Sequence, residues 1–205
     1  MGKWLERYWI WLASIPKDVH PRGDTTGANC GTNQAGPIWY LDPPVEQPQP
    51  NATTFYCEIP ENKAILVPLF VSECDPTVLN NPTDSQISEC TKMENDRANI
   101  IFDIDGKRFV QIKGTSQSEE QYSLYRTTSD FFNISFAENN IFDADSGTYR
   151  AQADGYFVIV QPLPLGDHEM SIYHNRLVSE PGKKPQPAVD VSYNIKIIKN
   201  RNSSS

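Results

Sequence analysis

The chain lacks any apolar run approaching the ~20 residues a membrane-spanning helix needs, so no segment reads as an integral membrane helix. Basic residues are few. Eighteen Lys and Arg face 26 Asp and Glu, for a formal charge of −8, which argues against nucleic acid or anionic lipid as a main partner. No two of the four cysteines have C-x2-C spacing, so a zinc knuckle or thioredoxin-type redox site is not expected. No G-x-S-x-G elbow is present, and the α/β alternation that elbow requires is missing too. There is no internal repeat. Histidine is scarce at three residues: His20, His168 and His174.

What is there suits one sizeable domain. A chain of 205 residues hides roughly 70% of its unfolded surface on folding. Hydrophobic residues make up 38%, lean but within the globular range. The four cysteines, at 30, 57, 74 and 90, suggest two disulfides and an oxidising compartment. Of three connectivities, the sequential one closes short loops: Cys30–Cys57 and Cys74–Cys90. Each bond is expected to contribute roughly 3 kcal/mol by restricting the unfolded chain. Sequons at Asn51, Asn133 and Asn202 agree with export, while Asn81-Pro-Thr83 is spoiled by its proline. Lys3, Glu6 and Arg7 interrupt any signal-peptide core. An extracellular or cell-surface location therefore implies a leader removed ahead of Met1. The polar end 200–205 reads either as a frayed terminus or as the start of a linker in a longer protein.

Residues 3–14 predict a short amphipathic helix. Trp4, Leu5, Tyr8, Trp9, Leu12 and Ile15 recur at helical spacing, and Pro16 ends it. Trp11 lies off that face and is a candidate platform for ligand stacking. Residues 17–62 read mostly as loop, with one short strand at Ile38-Trp39-Tyr40-Leu41 and a proline-rich stretch at 43–51. From 63 onward the pattern is β. Ala64 to Val71 is an apolar run whose Pro68 calls for an edge or a bulge. Residues 98–113 predict a hairpin around Asp105-Gly106, a type I′ signal. That turn pairs Ile104 with Lys107, Asp103 with Arg108, Phe102 with Phe109 and Ile101 with Val110. Further strands follow at 132–136, 155–160, 168–174 and 188–198. The last alternates cleanly, with Val189, Val191, Tyr193, Ile195 and Ile197 on one side. Many short strands separated by turns predict a mainly β fold. The expected architecture is an antiparallel β-sandwich, Ig-like or jelly-roll-like, with an N-terminal helix and long loops. Segment 1–62 is expected to wrap a sandwich of residues 63–199, as one structural domain with a polar tail.

Four segments carry a resemblance. They are D-T-T-G-A-N-C (24–30), Q-A-G-P-I-W-Y-L (34–41), C-E-I-P-E-N-K-A-I-L-V-P (57–68) and D-G-Y-F-V-I-V-Q-P-L-P-L-G-D-H (154–168). In this order they are similar to a family of uncharacterised secreted bacterial and archaeal proteins with D-x-TG-x-x-C, Q-x-G-P-x-W and C-x-hydrophobic-P-x-x-K-A motifs. The resemblance implies export and a shared fold, and no reaction, since the family has no assigned activity. The stretch after His168 and the long 175–187 loop depart from the pattern.

Candidate chemistry is sparse. His168 and His174 share strand parity, but six strand residues span roughly 20 Å, too far to share a metal. Asp143-Ala-Asp145-Ser-Gly147 has the alternate acids and glycine of a calcium loop, so Asp143 and Asp145 are candidate ligands for a divalent cation. No other cofactor is implied. Asp24 reads as a turn-holding carboxylate. Two functions follow. One is an extracellular, disulfide-stabilised binding or structural module for a glycan or protein ligand. The other is a secreted hydrolase with an acidic cleft where the 17–62 loops cross the sandwich, using Asp24 and His168 as an acid/base pair. The sequence leaves enzymatic activity undecided, with the non-enzymatic reading better supported. Oligomeric state and specific ligand are not legible.

Overall fold

The computed structural model describes residues 1–24, 26–42, 53–95, 98–113, 125–176 and 189–200. The sequons at Asn51 and Asn202, the proline-rich stretch and most of the long 175–187 loop lie outside these residues. In chain order the elements are α1 (Gly2–Ala13), β1 (Ile38–Tyr40), β2 (Thr53–Pro60), β3 (Ala64–Cys74), α2 (Asp84–Asn95), β4 (Ala98–Ile104), β5 (Lys107–Ile112), β6 (Arg126–Thr128), β7 (Phe132–Phe136), β8 (Gly147–Val160), β9 (Gly166–Arg176) and β10 (Val189–Ile198).

Apolar alternation sets the layers. In β10, Val191, Tyr193, Ile195 and Ile197 are buried, and in β4 so are Ala98, Ile100, Phe102 and Ile104. These strands belong to a sheet ordered β2-β10-β9-β4-β5, which buries one face and leaves the other polar. β3 is different: Ile65, Leu66, Val67 and Leu69 are all buried. Its sheet, ordered β1-β3-β8-β6 with β7 also on β8, is covered on both sides. Ile65, Val67 and Leu69 face the other sheet, while Leu66 faces α1 with Ala151, Ala153 and Phe157 of β8. The molecule is thus a β-sandwich with a helix laid on its outer face. Against that face α1 buries Leu5, Tyr8, Trp9, Trp11 and Leu12, each large side chain worth about 1.5–3 kcal/mol when fully removed from water.

The sheets are mixed rather than purely antiparallel. β1 runs parallel to β3, and β2 parallel to β10. Both come from segment 1–62: β1 is the short strand expected at 38–41, while β2 falls where loop was expected, so that segment supplies a strand to each sheet as well as wrapping them. β2 alternates Phe55, Cys57 and Ile59 inward with Tyr56 and Glu58 outward. Pro68 sits at a register irregularity between Pro68 and Phe70, the bulge expected for a residue without an N–H. Just past it Gly155 lies opposite Val71, with φ +148°; a Cβ there would fall 2.4 Å from the Phe70 carbonyl oxygen, so only glycine admits this approach.

The hairpin turn is as expected: Asp105 and Gly106 both have positive φ, and Ile104 and Asp103 pair with Lys107 and Arg108. The register then shifts, and Phe102 opposes Val110 instead of Phe109. The reason is burial. An unshifted ladder would turn Phe109 and Gln111 inward and Val110 and Ile112 to water. The bulge buries both aliphatic residues and leaves Phe109 57% exposed.

Both expected disulfides are present, Cys30–Cys57 and Cys74–Cys90. Cys90 lies in helix α2. That helix opens with a capping box. Thr83 Oγ1 accepts from Gln86 N–H, and Gln86 Oε1 accepts from Thr83 N–H. Ile87 and Thr91 face the sandwich and are buried.

Candidate functional site

The motif segments act first on the chain itself. Asp24 accepts hydrogen bonds from Thr26 N–H and Oγ1 and from Asn29 N–H at 2.6–2.8 Å. Partial desolvation opposes its charge, but these donors outweigh it and hold the carboxyl below its usual range. Thr26 then accepts from the Tyr56 N–H of edge strand β2. Gly27, at φ +89°, lies so close to β2 that a Cβ would sit 2.2 Å from the Tyr56 carbonyl oxygen. Cys30 closes the clip on Cys57. In the second motif, the Gln34 amide bonds both backbone groups of Tyr40. Lys63 caps the Gly36 carbonyl. Asp154 is buried and ion-paired to Arg126.

A buried polar cluster anchors α1. Arg22 makes two 2.8 Å bonds to Asp42, the Tyr8 hydroxyl donates to the same carboxylate, and the Arg22 guanidinium lies over the rings of Trp9 and Phe142. Burial of Tyr8 and the Asp42 charge push the phenol up. His20 donates from Nε2 to the Leu12 carbonyl and accepts at Nδ1 from Arg22 N–H. That pairing requires a neutral ring, in line with the downward shift caused by burial. Trp11 is part of this interface. It is 7% exposed, stacks on Tyr40 and donates to the Thr32 carbonyl, so the structure does not offer it as a stacking platform for a ligand.

The described residues enclose one large cleft, of about 810 Å³, over the outer face of the β2-β10-β9 sheet. Its floor is two cross-strand rows: Tyr56, Asn194 and Glu169 in one, Glu58, Lys196 and Asp167 in the other. The clipped loop at Gly27–Gly31 walls one side, and Asp105 with His168 stands at the other. Tyr56 is 64% exposed. Among the described residues, the side chains of Glu58, Asn194, Lys196, Asp167 and Glu169 make no hydrogen bond or ion pair with protein. In this they differ from the motif residues around them. The cleft lies where the early loop crosses the sandwich and is rich in acid, as expected.

The expected acid/base pair is not formed there. His168 Nδ1 meets Asp105 at 2.9 Å and Nε2 meets the Pro164 carbonyl at 3.0 Å. Both partners offer acceptor oxygens, an arrangement that favours the charged imidazole with both ring nitrogens donating. Desolvation opposes that charge, yet these bonds and the nearby Asp105 and Asp167 carboxylates raise its pKa. Asp105 is correspondingly lowered by His168 and by the Glu169 N–H. His168 therefore ties the hairpin turn to the 162–166 turn, and Asp24 lies outside the cleft lining.

His174 is set apart on β9, with its ring 4.8 Å from that of Phe70, and burial drives it down to about 4. Asp143 pairs with Lys17 at 2.6 Å, and its turn is held by Asn140, which accepts from the Phe142 and Ala144 N–H groups. Asp145 is exposed beside it. Among the described residues, no cluster of three or more Asp, Glu, His or Cys side chains is placed to hold a metal, and no helix is long and apolar enough to cross a membrane.

No protein-family model matches the chain, and no curated protein matches it in sequence. Among solved structures, it is similar to the cysteine protease inhibitor EhICP2 from Entamoeba histolytica. That match has 11% identity, covers 70% of this chain and 86% of the other, and has a TM-score of 0.21. An overlay that loose carries no argument about function.

Proposed function

We propose that this chain is an extracellular binding module that holds a glycan in the cleft over the β2-β10-β9 sheet. Two disulfides fit a β-domain stabilised for an oxidising compartment. The observation that carries the glycan reading is the cleft floor. An exposed tyrosine ring stands among amide, carboxylate and ammonium groups that are not committed to the fold. An aromatic face stacks on the apolar face of a sugar ring while planar polar side chains bond its hydroxyls. The cleft volume lies within the range of small-ligand sites. Carboxylates outnumber the lysine on the floor, which disfavours anionic sugars and suits neutral or amine-bearing ones. The proposal assigns no catalytic step, because Asp24 and His168 both serve turns.

The test is a panel of neutral, amino and acidic oligosaccharides screened on the intact, oxidised protein, followed by calorimetry on the hits. Binding to neutral or amino sugars is expected, weakened about fivefold to tenfold by Tyr56→Ala and unchanged by Trp4→Phe. A panel with no binder, or binding that ignores Tyr56→Ala and Asn194→Ala, refutes the reading.

A further inference from the structure

We propose that Glu73 and Asp75 form a divalent-cation site, with calcium as its cation, where β3 leaves the sandwich on the way to α2. Residues 73 and 75 flank Cys74, the last residue of β3, which bonds Cys90 of α2. The two carboxyl groups lie within hydrogen-bonding reach of each other, and burial together with the Asp75 carboxyl pushes Glu73 up to about 9. Asp75 is 1% exposed. Its Oδ1 accepts from the Thr77 N–H, and its Oδ2 is buried with no protein donor. Glu73 Oε1 is likewise buried without a donor.

The other buried aspartates sharpen the contrast. Asp42 has Arg22, and Asp154 has Arg126. No Lys, Arg or His among the described residues pairs with Glu73 or Asp75. A buried carboxyl needs a paired cation, a metal or a proton; here the protein supplies no cation of its own, and calcium would displace the proton the pair holds. The donors are all oxygen, which selects a hard ion over zinc or copper. Magnesium demands a near-ideal octahedron, whereas calcium accepts an irregular shell completed by backbone carbonyls and water. Glu73 is only half-buried as a residue, which leaves an entry path from solvent. With two carboxylates the site belongs to the weak extracellular class, with a dissociation constant of about 0.1–1 mM. Bound calcium would fasten the turn that carries Cys74 toward α2. The 143–147 turn is a separate place, with its Asp143 taken by Lys17.

The experiment is calorimetry with calcium chloride on the chelator-stripped, oxidised protein, together with thermal melts. One calcium per chain is expected, with a midpoint rise of about 3–6 °C at ten times the dissociation constant. Glu73→Gln and Asp75→Asn, both near-isosteric, should abolish the uptake and the rise. Asp75→Asn keeps an oxygen for the Thr77 N–H, and circular dichroism confirms folding of each variant. A double Asp143→Asn, Asp145→Asn variant should keep both responses. No uptake by the wild-type protein overturns the proposal. So does a response that survives Glu73→Gln and Asp75→Asn. A pair that merely shares a proton would show itself as no calcium response in the wild type and an undiminished midpoint in Glu73→Gln.

Discussion

Replacing Asp42 by Ala removes one carboxylate from the centre of the cluster that seats α1. The Asp42 side chain is wholly buried, and that of Arg22 is 15% exposed. The substitution deletes both Arg22 bonds and the acceptor for the Tyr8 hydroxyl. It leaves a guanidinium stranded between the Trp9 and Phe142 rings. Breaking one side of a buried ion pair costs about 3–5 kcal/mol. An unsatisfied buried hydroxyl costs about 1–3 kcal/mol more. The two overlap, so the expected loss is about 4–6 kcal/mol, or about 10–20 °C in midpoint for a chain this long. Urea unfolding followed by tryptophan fluorescence reads it directly, since Trp4, Trp9 and Trp11 all lie in α1. The triple variant Tyr8→Phe, Arg22→Met, Asp42→Leu should recover most of the loss, because an apolar set of similar volume leaves no charge unpaired. A loss under about 1 kcal/mol for Asp42→Ala, the size of an exposed pair, would refute the reasoning. So would a triple variant no more stable than the single one.

Gly27→Ala should cost at least about 2 kcal/mol, through backbone strain at positive φ and the collision with β2; chemical denaturation checks it, and a neutral result would undo the clip argument. Acid should destabilise the protein through His174. Its folded pKa of about 4 lies below the unfolded value, so its stabilising neutrality is present above about pH 6.5 and lost as pH falls toward 4, by about 3 kcal/mol. His174→Phe should flatten that part of the stability–pH curve. His168 acts with the opposite sign, since a raised histidine contributes most at low pH and loses its contribution as pH rises through its folded value. In β5, Phe109→Ser should change stability by under about 0.5 kcal/mol, while Val110→Ser should cost about 2 kcal/mol or more; equal effects would restore the unshifted register.

The strands were legible wherever one face is apolar and the other polar, as in β7 and β10. The uniformly apolar runs of β3 and β8 were legible as strands, but the reason for their uniformity is the helix on the outer face. β2 was missed although Phe55, Cys57 and Ile59 alternate, because its proline-rich neighbours read as loop. α2 was missed because only a narrow stripe, with Ile87 and Thr91, touches the core. Its capping box, Thr83 to Gln86, was the available signal. The bulge at Phe109 followed from competition between facing side chains, which a turn type alone does not decide. The place of the cleft was legible, but the residues of its floor were not, for a related reason. Its floor comes from β2, β9 and β10, and only their mutual register sets Tyr56, Asn194 and Glu169 in one row. Asp105 was read as a turn residue alone, yet its carboxylate also holds His168.

The account turns on a division of labour, with motif residues building the scaffold and the row from Tyr56 to Glu169 meeting the ligand. Amide chemical-shift mapping during titration with the best neutral or amino oligosaccharide tests it most directly. Shifts clustered on residues 56–58, 167–169 and 194–196, with the 20–24 and 40–42 segments still, are the predicted result. Shifts centred on the motif residues, or scattered without a focus, would contradict it.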